Sequence, residues 1–141
     1  MKNVIVAGPR NFANINLVFK ILNEELEYEK HNITIFNGGA TGVDAIGKLW
    51  AEANDIPVRP FPADWKNLDR KPCLVKYDKY NRPYNALAGL NRNEEMAQEA
   101  DTLILIWDGF TNGSSDMKER AKKHGLRIIE YIIKHKVEKK I

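Results

Sequence analysis

Cysteine is nearly absent from this 141-residue chain. Cys73 stands alone, so no internal disulfide can form, and no Cys/His set has the spacing of a structural zinc site. Following Pro72 in a polar stretch, it reads as an ordinary free thiol. Long apolar runs are missing too: none approaches the roughly 18 residues that cross a bilayer, and "MKNVIVAG" turns polar too early for a signal peptide. The expectation is one soluble, cytoplasmic domain with no membrane partner, no bound metal and no resident cofactor.

A strong charge of one sign is also lacking. The net charge is +3, of which "KHKVEKKI" (134–141) alone carries +3 and the stretch 65–87 carries +4, with six Lys/Arg against two Asp. Everything else therefore sums to −4. A broad nucleic-acid footprint would spread basic residues over a face of the fold, so that reading rests on two local segments.

What the chain does have is alternating pattern. "NVIVAG" (3–8), "ITIFNGG" (33–39), "IPVRPF" (56–61), "DTLILIWDG" (101–109) and "LRIIEYII" (126–133) read as strands, the fourth being the most hydrophobic segment. Between them, Ile15, Val18, Phe19, Leu22 and Leu26 recur at helical spacing, as do Val43, Ile46, Leu49, Trp50 and Ala53. Further helices are predicted over 88–100 and 113–125, the latter with Met117 and Ala121 inward, basic residues in its last turn and Gly125 as its stop. The fold class is α/β: a single Rossmann-like domain over 1–133, with a mainly parallel sheet of about five strands and helices on both faces. Residues 65–87 show no sustained period and read as a basic, aromatic insertion or lid; 134–141 is a basic tail.

Ligands of such folds sit beyond the carboxyl ends of the strands. Every conspicuous polar motif falls there: "GPR" (8–10), "NGGATG" (37–42), "PADW" (62–65) and "WDGFTNGSS" (107–115). Gly38, Gly39 and Gly42 let the backbone approach a ligand and open a helix whose N–H groups favour an anion, although a tight strand-to-helix turn would use the same residues. Gly113, Ser114 and Ser115 either bind a second anion or cap a helix. Asp44 is a candidate for a ribose hydroxyl or simply complements the helix dipole, and Arg10 and Arg92 are candidates for bidentate phosphate contacts. Trp107 reads as core, Asp108 beside it as a polar contact, and His31, His124 and His135 as solvated.

In order, "GPR…F", "NGGATGVDAIGKLWAEANDIPVRPFPADW", "AGLNRNEEMAQEAD" and "LILIWDGFTNGSSDMKERAKKHGLRI" resemble the YspA-type branch of the SLOG superfamily. That superfamily joins LOG-type phosphoribohydrolases, the DNA-processing protein A fold and nucleotide sensors, and the insertion looks like that of phage and prophage members. The resemblance implies a nucleotide-derived ligand held by Gly38, Gly39, Gly42 and Asp44, with Thr41 in the same turn a further candidate, and an Arg-Asn motif at Arg92 and Asn93. The "WDG" and following Gly-Ser map to Trp107, Asp108, Gly109, Gly113 and Ser114, and "GPR" contributes Gly8 and Arg10. The chain departs from the branch at Pro9, where serine is common, and at Thr41, where a basic residue is frequent. The "PGGxGTxxE" glutamate of the phosphoribohydrolases has no counterpart, so their activity does not carry over.

Three functions are in play. The leading one is a module that senses, carries or sequesters a nucleotide-like small molecule, with relatives that often self-associate. The second is a nucleoside-monophosphate N-glycosidase in which Asp44 or Asp64 stabilises ribosyl positive charge. The third is single-stranded nucleic-acid binding through Trp65, Tyr77, Tyr80 and Tyr84 interleaved with Lys66, Arg70, Lys71, Lys76, Lys79 and Arg82.

Overall fold

The computed structural model describes residues 1–133, so the basic tail at 134–141, with His135, lies outside the described residues. Five parallel strands, β1 (Lys2–Ala7), β2 (Ile33–Asn37), β3 (Val58–Pro60), β6 (Thr102–Trp107) and β7 (Arg127–Ile132), form one sheet in the order β3-β2-β1-β6-β7. Helices α1 (Ile15–Leu26), α2 (Val43–Ala53), α3 (Ala88–Glu99) and α4 (Asn112–Lys123) cover it. This is the doubly wound architecture expected from the pattern of apolar runs.

Alternation along the central strands feeds two cores. Val4, Val6, Ile104 and Ile106 pack with Val18, Leu22, Ile46 and Trp50 on the α1/α2 side. Ile5, Ala7, Leu103, Leu105 and Trp107 face Met96, Met117 and Ala121 on the α3/α4 side. Each such buried side chain is worth about 1.5–3 kcal/mol, which is why β1 and β6 tolerate no polar residue inside except Thr102 at an end. The indole Nε1 of Trp50 donates to Asn23 Oδ1 at 2.9 Å, joining α2 to α1. Three stripe positions are corrected: Ile15 and Leu49 are about half exposed and Ala53 is exposed, while Ile21, Gly47 and Ala51 are buried in their place. Both helices are thus rotated slightly from the expected facing, and Ile21 and Ala51 join the same core.

The strand order reverses between β1 and β6, whose carboxyl ends diverge into the loops at 8–14 and 108–111. That crevice is where the polar motifs converge.

The segment 65–87 is more ordered than its sequence implies. It contains an antiparallel hairpin, β4 (Val75–Tyr77) with β5 (Pro83–Asn85), of strands too short for a period of two to be visible. A hairpin this short is not stable alone. Asn85, fully buried, anchors it: its Oδ1 accepts from the N–H groups of Leu87 (3.0 Å) and Leu74 (3.3 Å), and its own N–H donates to the Trp65 carbonyl at 2.7 Å. Asn91 on α3 donates to the Pro72 carbonyl, and Arg70 pairs with Glu95, so the hairpin is tied to α3 on two further sides. N85A leaves those N–H groups without their acceptor, at a cost of about 1–3 kcal/mol each if they stay buried. Hydrogen exchange should accelerate across 65–87 in N85A while β1, β2 and β6 stay protected; unchanged exchange there would show that the hairpin is held by other contacts.

Candidate functional site

Beyond the ends of β1, β2 and β6 lies a cleft of two adjoining compartments. The first, of about 450 Å³, is bounded by Gly8, Arg10, Asp44, Arg92, Asp108 and Ser114. The second, of about 460 Å³, is bounded by Gly38, Gly39, Thr41, Pro62 and Trp65. Arg10, Ala40 and Arg92 line both, so these residues form the divide.

The backbone around the cleft is interlocked. A Cβ on Gly8 would sit 2.1 Å from the Ile106 carbonyl oxygen, which is how closely the first loop approaches β6. Gly42, with φ of 75°, passes so near the first loop that a Cβ would lie 2.1 Å from the Pro9 carbonyl. Across the same contact Val43 N–H donates to Pro9 O (3.3 Å) and Thr41 Oγ1 to Arg10 O (3.0 Å). Gly42 is therefore required by packing between loops rather than by a ligand. Gly39 is different: its φ is 79°, but a Cβ there meets nothing within 4 Å. G39A should cost only the left-handed strain, about 1–2 kcal/mol. G42A should add about 1–3 kcal/mol of backbone displacement. Urea unfolding of the two variants reads the difference, and equal losses would refute the interlock.

Asn37, which sequence reasoning passed over, organises the glycine turn. Its Oδ1 accepts from Gly39 N–H (2.9 Å) and its Nδ2 donates to the Asp44 carbonyl (2.8 Å). The signal was present: an Asn at a strand end before Gly-Gly is an Asx-turn former. Arg92, on α3, reaches over the turn, donating from its guanidinium to the Gly38 carbonyl and from Nε to Asn93 Oδ1 (3.0 Å). Asn93 in turn donates to Asp116 Oδ2 (3.0 Å), which also accepts from Arg120 Nε (2.9 Å). Arg120 contacts Glu94 at 3.1 Å, and Glu94 meets the His124 ring at 2.8 Å. His124 thus belongs to a surface ion cluster rather than standing free in solvent, and its ring beside Glu94 holds that carboxyl down at about 2. The Asp116 role was missed, although Asp116 and Arg120 stand at the i,i+4 spacing of a helical pair.

Asp44 is buried in the first turn of α2, facing the first compartment. Burial pushes its carboxyl up to about 6 against the pull of Arg92, the backbone at Ala40 and Gly8, and Arg10. Burial likewise lowers the Arg92 guanidinium, with Arg10 adding repulsion and Asp44 opposing it. Among the described residues, neither Arg10 nor Arg92 has a carboxylate within 4.0 Å, whereas Arg59, Arg70, Arg82 and Arg120 are each paired.

Asp108 lines the cleft but spends its carboxylate locally, accepting from Phe110 N–H (2.9 Å), Thr111 N–H (3.0 Å) and Thr111 Oγ1 (2.8 Å). The Phe110 bond is the chief reason its carboxyl is held below the usual range. With this turn α4 begins at Asn112, one residue before the expected start, with Thr111 at the N-cap position but its hydroxyl given to Asp108, so Gly113 and Ser114 lie within the first turn. Neither α2 nor α4 has a side chain bonded to its free N–H groups, in contrast to α1, where Asn14 accepts from Leu17 at 3.1 Å.

Of the residues singled out from sequence, the structure brings Gly8, Arg10, Asp44, Arg92, Asn93, Asp108, Gly113 and Ser114 to the first compartment and Gly38, Gly39 and Thr41 to the second. Ser115 donates its N–H to Thr111 O inside α4, and Gly109 (φ 88°) only turns the chain. Asp64 is exposed and bounds neither compartment, so the geometry leaves Asp44 as the cleft carboxylate with burial. Trp107 is core, its Nε1 donating to Glu130 at 2.7 Å. Among the described residues no group of three or more His, Cys, Asp or Glu could hold a metal ion, and no helix is long and apolar enough to cross a membrane.

The family model described as YspA, cpYpsA-related SLOG (YAcAr) matches residues 2–68, the part that carries β1, the glycine turn, α2 and "PADW". Over residues 2–68 the chain resembles that SLOG family. Gene 61 protein of Mycobacterium phage D29 is 26% identical over 137 residues, covering 93% of this chain and 97% of its own length. DNA processing protein A of Streptococcus pneumoniae superposes with a TM-score of 0.69 at 18% identity, over 98% of this chain but 52% of its own. That of Helicobacter pylori, whose structure concerns its single-stranded DNA binding mode, gives 0.65 at 20% over 96% of this chain and 67% of its own. TM1055, a structural-genomics target, gives 0.60 at 20% over 91% and 72%. At these identities the likeness establishes the fold, and the chain spans about half the length of the S. pneumoniae protein.

Within the SLOG segment, Asp44 gives the site a pH signature. Folded Asp44 holds its proton more tightly than the unfolded chain does, from 3.8 up to about 6. Its contribution is therefore full below about pH 4 and declines as pH rises through about 6, because the charged form must then be buried. D44N has no proton to lose. Relative to wild type, its unfolding free energy should climb by up to roughly 3 kcal/mol between about pH 4 and pH 7. Urea titrations across that range measure it, and a constant offset would mean that the carboxylate is fully compensated in the fold.

Proposed function

We propose that this protein, which resembles the SLOG family over residues 2–68, is a cytoplasmic module that binds a phosphate-containing, nucleotide-derived small molecule in the cleft at the carboxyl edge of the sheet. The observation that carries this reading is the pair Arg10 and Arg92. Two guanidinium groups, one from the loop after β1 and one from α3, line both compartments of the cleft and have no carboxylate within 4.0 Å among the described residues, whereas Arg120 further along the α3/α4 network is paired. Holding like charges together is unfavourable, and a phosphate offers both a bidentate partner. The starts of α2 and α4, neither bonded by a side chain, border the same space and add N–H groups of the sign a phosphate prefers, apart from Val43 N–H, which Pro9 O takes. In this reading Asn93 and Asp116 set the angle of Arg92, Gly38 and Gly39 bring backbone close to the ligand, and Asp44 accepts a sugar hydroxyl.

A nucleoside-monophosphate N-glycosidase is the second reading, and one feature favours it: a buried carboxyl titrating near neutrality is the kind of group that catalyses proton transfer. Single-stranded nucleic acid on the hairpin ranks third, supported by the exposure of Tyr77 and Tyr80 and by the Helicobacter relative of the fold.

Equilibrium dialysis with adenosine monophosphate and ribose 5-phosphate tests the proposal. R10A, at an exposed position outside the core, should weaken binding roughly tenfold to a hundredfold, the loss expected for one charged hydrogen-bonding partner, without changing the melting temperature. R92A should weaken it at least as much, with R92K restoring only part. Wild-type protein that ignores both compounds, or binds them unchanged in R10A, refutes the cleft as a phosphate site. Chromatography of the same samples for free adenine separates binding from cleavage.

A further inference from the structure

Trp65 belongs to more than the cleft. It bounds the second compartment and also a third, of about 640 Å³, formed at the root of the hairpin by Lys66, Arg82, Pro83 and Tyr84. The first and second compartments share Arg10, Ala40 and Arg92, and the second and third share Trp65. The three cavities thus adjoin in sequence, each sharing a wall with the next. A single compartment already falls within the roughly 300–1,000 Å³ of a small-molecule site, so a mononucleotide would leave most of the track empty.

The chemistry alternates along the track. At one end are the N-terminus of α4 with Arg10 and Arg92, then the Trp65 ring, then Lys66 with Tyr84 beside it, where Arg82 is held by Asp78. The cationic positions suit phosphates and the rings between them suit bases. Trp65 is held for that purpose: its Cη2 lies 3.4 Å from where a Cβ on Gly89 would stand, and its ring meets Tyr84 edge-on at 6.4 Å and 67°. Pinned on two sides, it stays 38% exposed, whereas Trp50 and Trp107 are buried. The anchoring of the hairpin by Asn85 means that the third compartment is preformed.

We infer that the ligand is longer than a mononucleotide: two nucleoside units joined through phosphate, with the first phosphate between Arg10 and Arg92 and a base stacked on Trp65. This rests on the cleft reading above and extends it to the class of ligand. A free linear dinucleotide and the end of a single strand share this chemistry.

Titration calorimetry with adenosine monophosphate, the linear dinucleotide pApA and a longer adenylate homopolymer tests it on wild type, W65A and W65F. The dinucleotide should bind on the order of tenfold more tightly than the monophosphate, as one stacked base contributes. W65A should erase that gain, so that the dinucleotide and the monophosphate bind alike, and W65F, which keeps a ring, should retain most of it. Equal wild-type affinities for the two adenylates, or a gain that survives W65A, overturn the inference while monophosphate binding still stands. Binding of neither defeats the phosphate site itself. If the homopolymer binds still more tightly the occupant is a strand end, and if it matches or falls below pApA the occupant is a free dinucleotide; both outcomes uphold the two-unit ligand.

Discussion

The contact between the first loop and the start of α2 governs everything at the cleft. Parallel β1 and β2 place "GPR" and "NGGATG" side by side, and the chain can pass only if Gly8 clears Ile106 and Gly42 clears Pro9. Once that interlock forms, Val43 and Thr41 bond to the first loop and fix where Arg10 leaves the backbone. The position of an exposed, flexible side chain is therefore set by a backbone crossing with almost no clearance. Glycine here trades unfolded-state freedom for a geometry no other residue reaches.

Electrostatics at the cleft is balanced on desolvation rather than on pairing. Asp44 and Arg92 influence each other, yet burial dominates both, raising the carboxyl and lowering the guanidinium. A tight Asp44–Arg92 ion pair would have neutralised the site and closed it. Instead Arg92 is tethered through the Gly38 carbonyl and Asn93, both neutral acceptors, so its charge remains available to an incoming anion. The tether continues through Asp116, Arg120 and Glu94 to His124 on the surface, which restrains the guanidinium without cancelling it.

How much of this was legible from sequence depends on the range of the interaction. β1, β6 and the helices declared themselves because continuous or 3.6-periodic burial repeats along the chain, and the edge motifs fell at one end because parallel strands impose it. The single-residue facing of α1 and α2 was legible only within a turn: Ile15 and Ile21 are equally apolar, and which is buried depends on how α2 lies across α1. The hairpin was invisible because three-residue strands have no period, and its stability comes from Asn85 and Asn91, polar residues that composition assigns to loops. Asp64 and Asp44 could not be ranked either, since both follow a glycine- or proline-rich turn and differ only in tertiary burial.

The same reasoning changes what the insertion does. A mobile lid would pay an ordering cost on each binding event and would show few bonds to the body. This hairpin instead spends a buried asparagine, an Arg70–Glu95 pair and a bond from α3 on staying in place. Conformational entropy already surrendered in the free protein is not charged to the ligand. That makes the Trp65 wall a standing surface, and on the two-unit reading it makes the rigidity of 65–87, more than its charge, the property that would set how long a ligand the cleft takes.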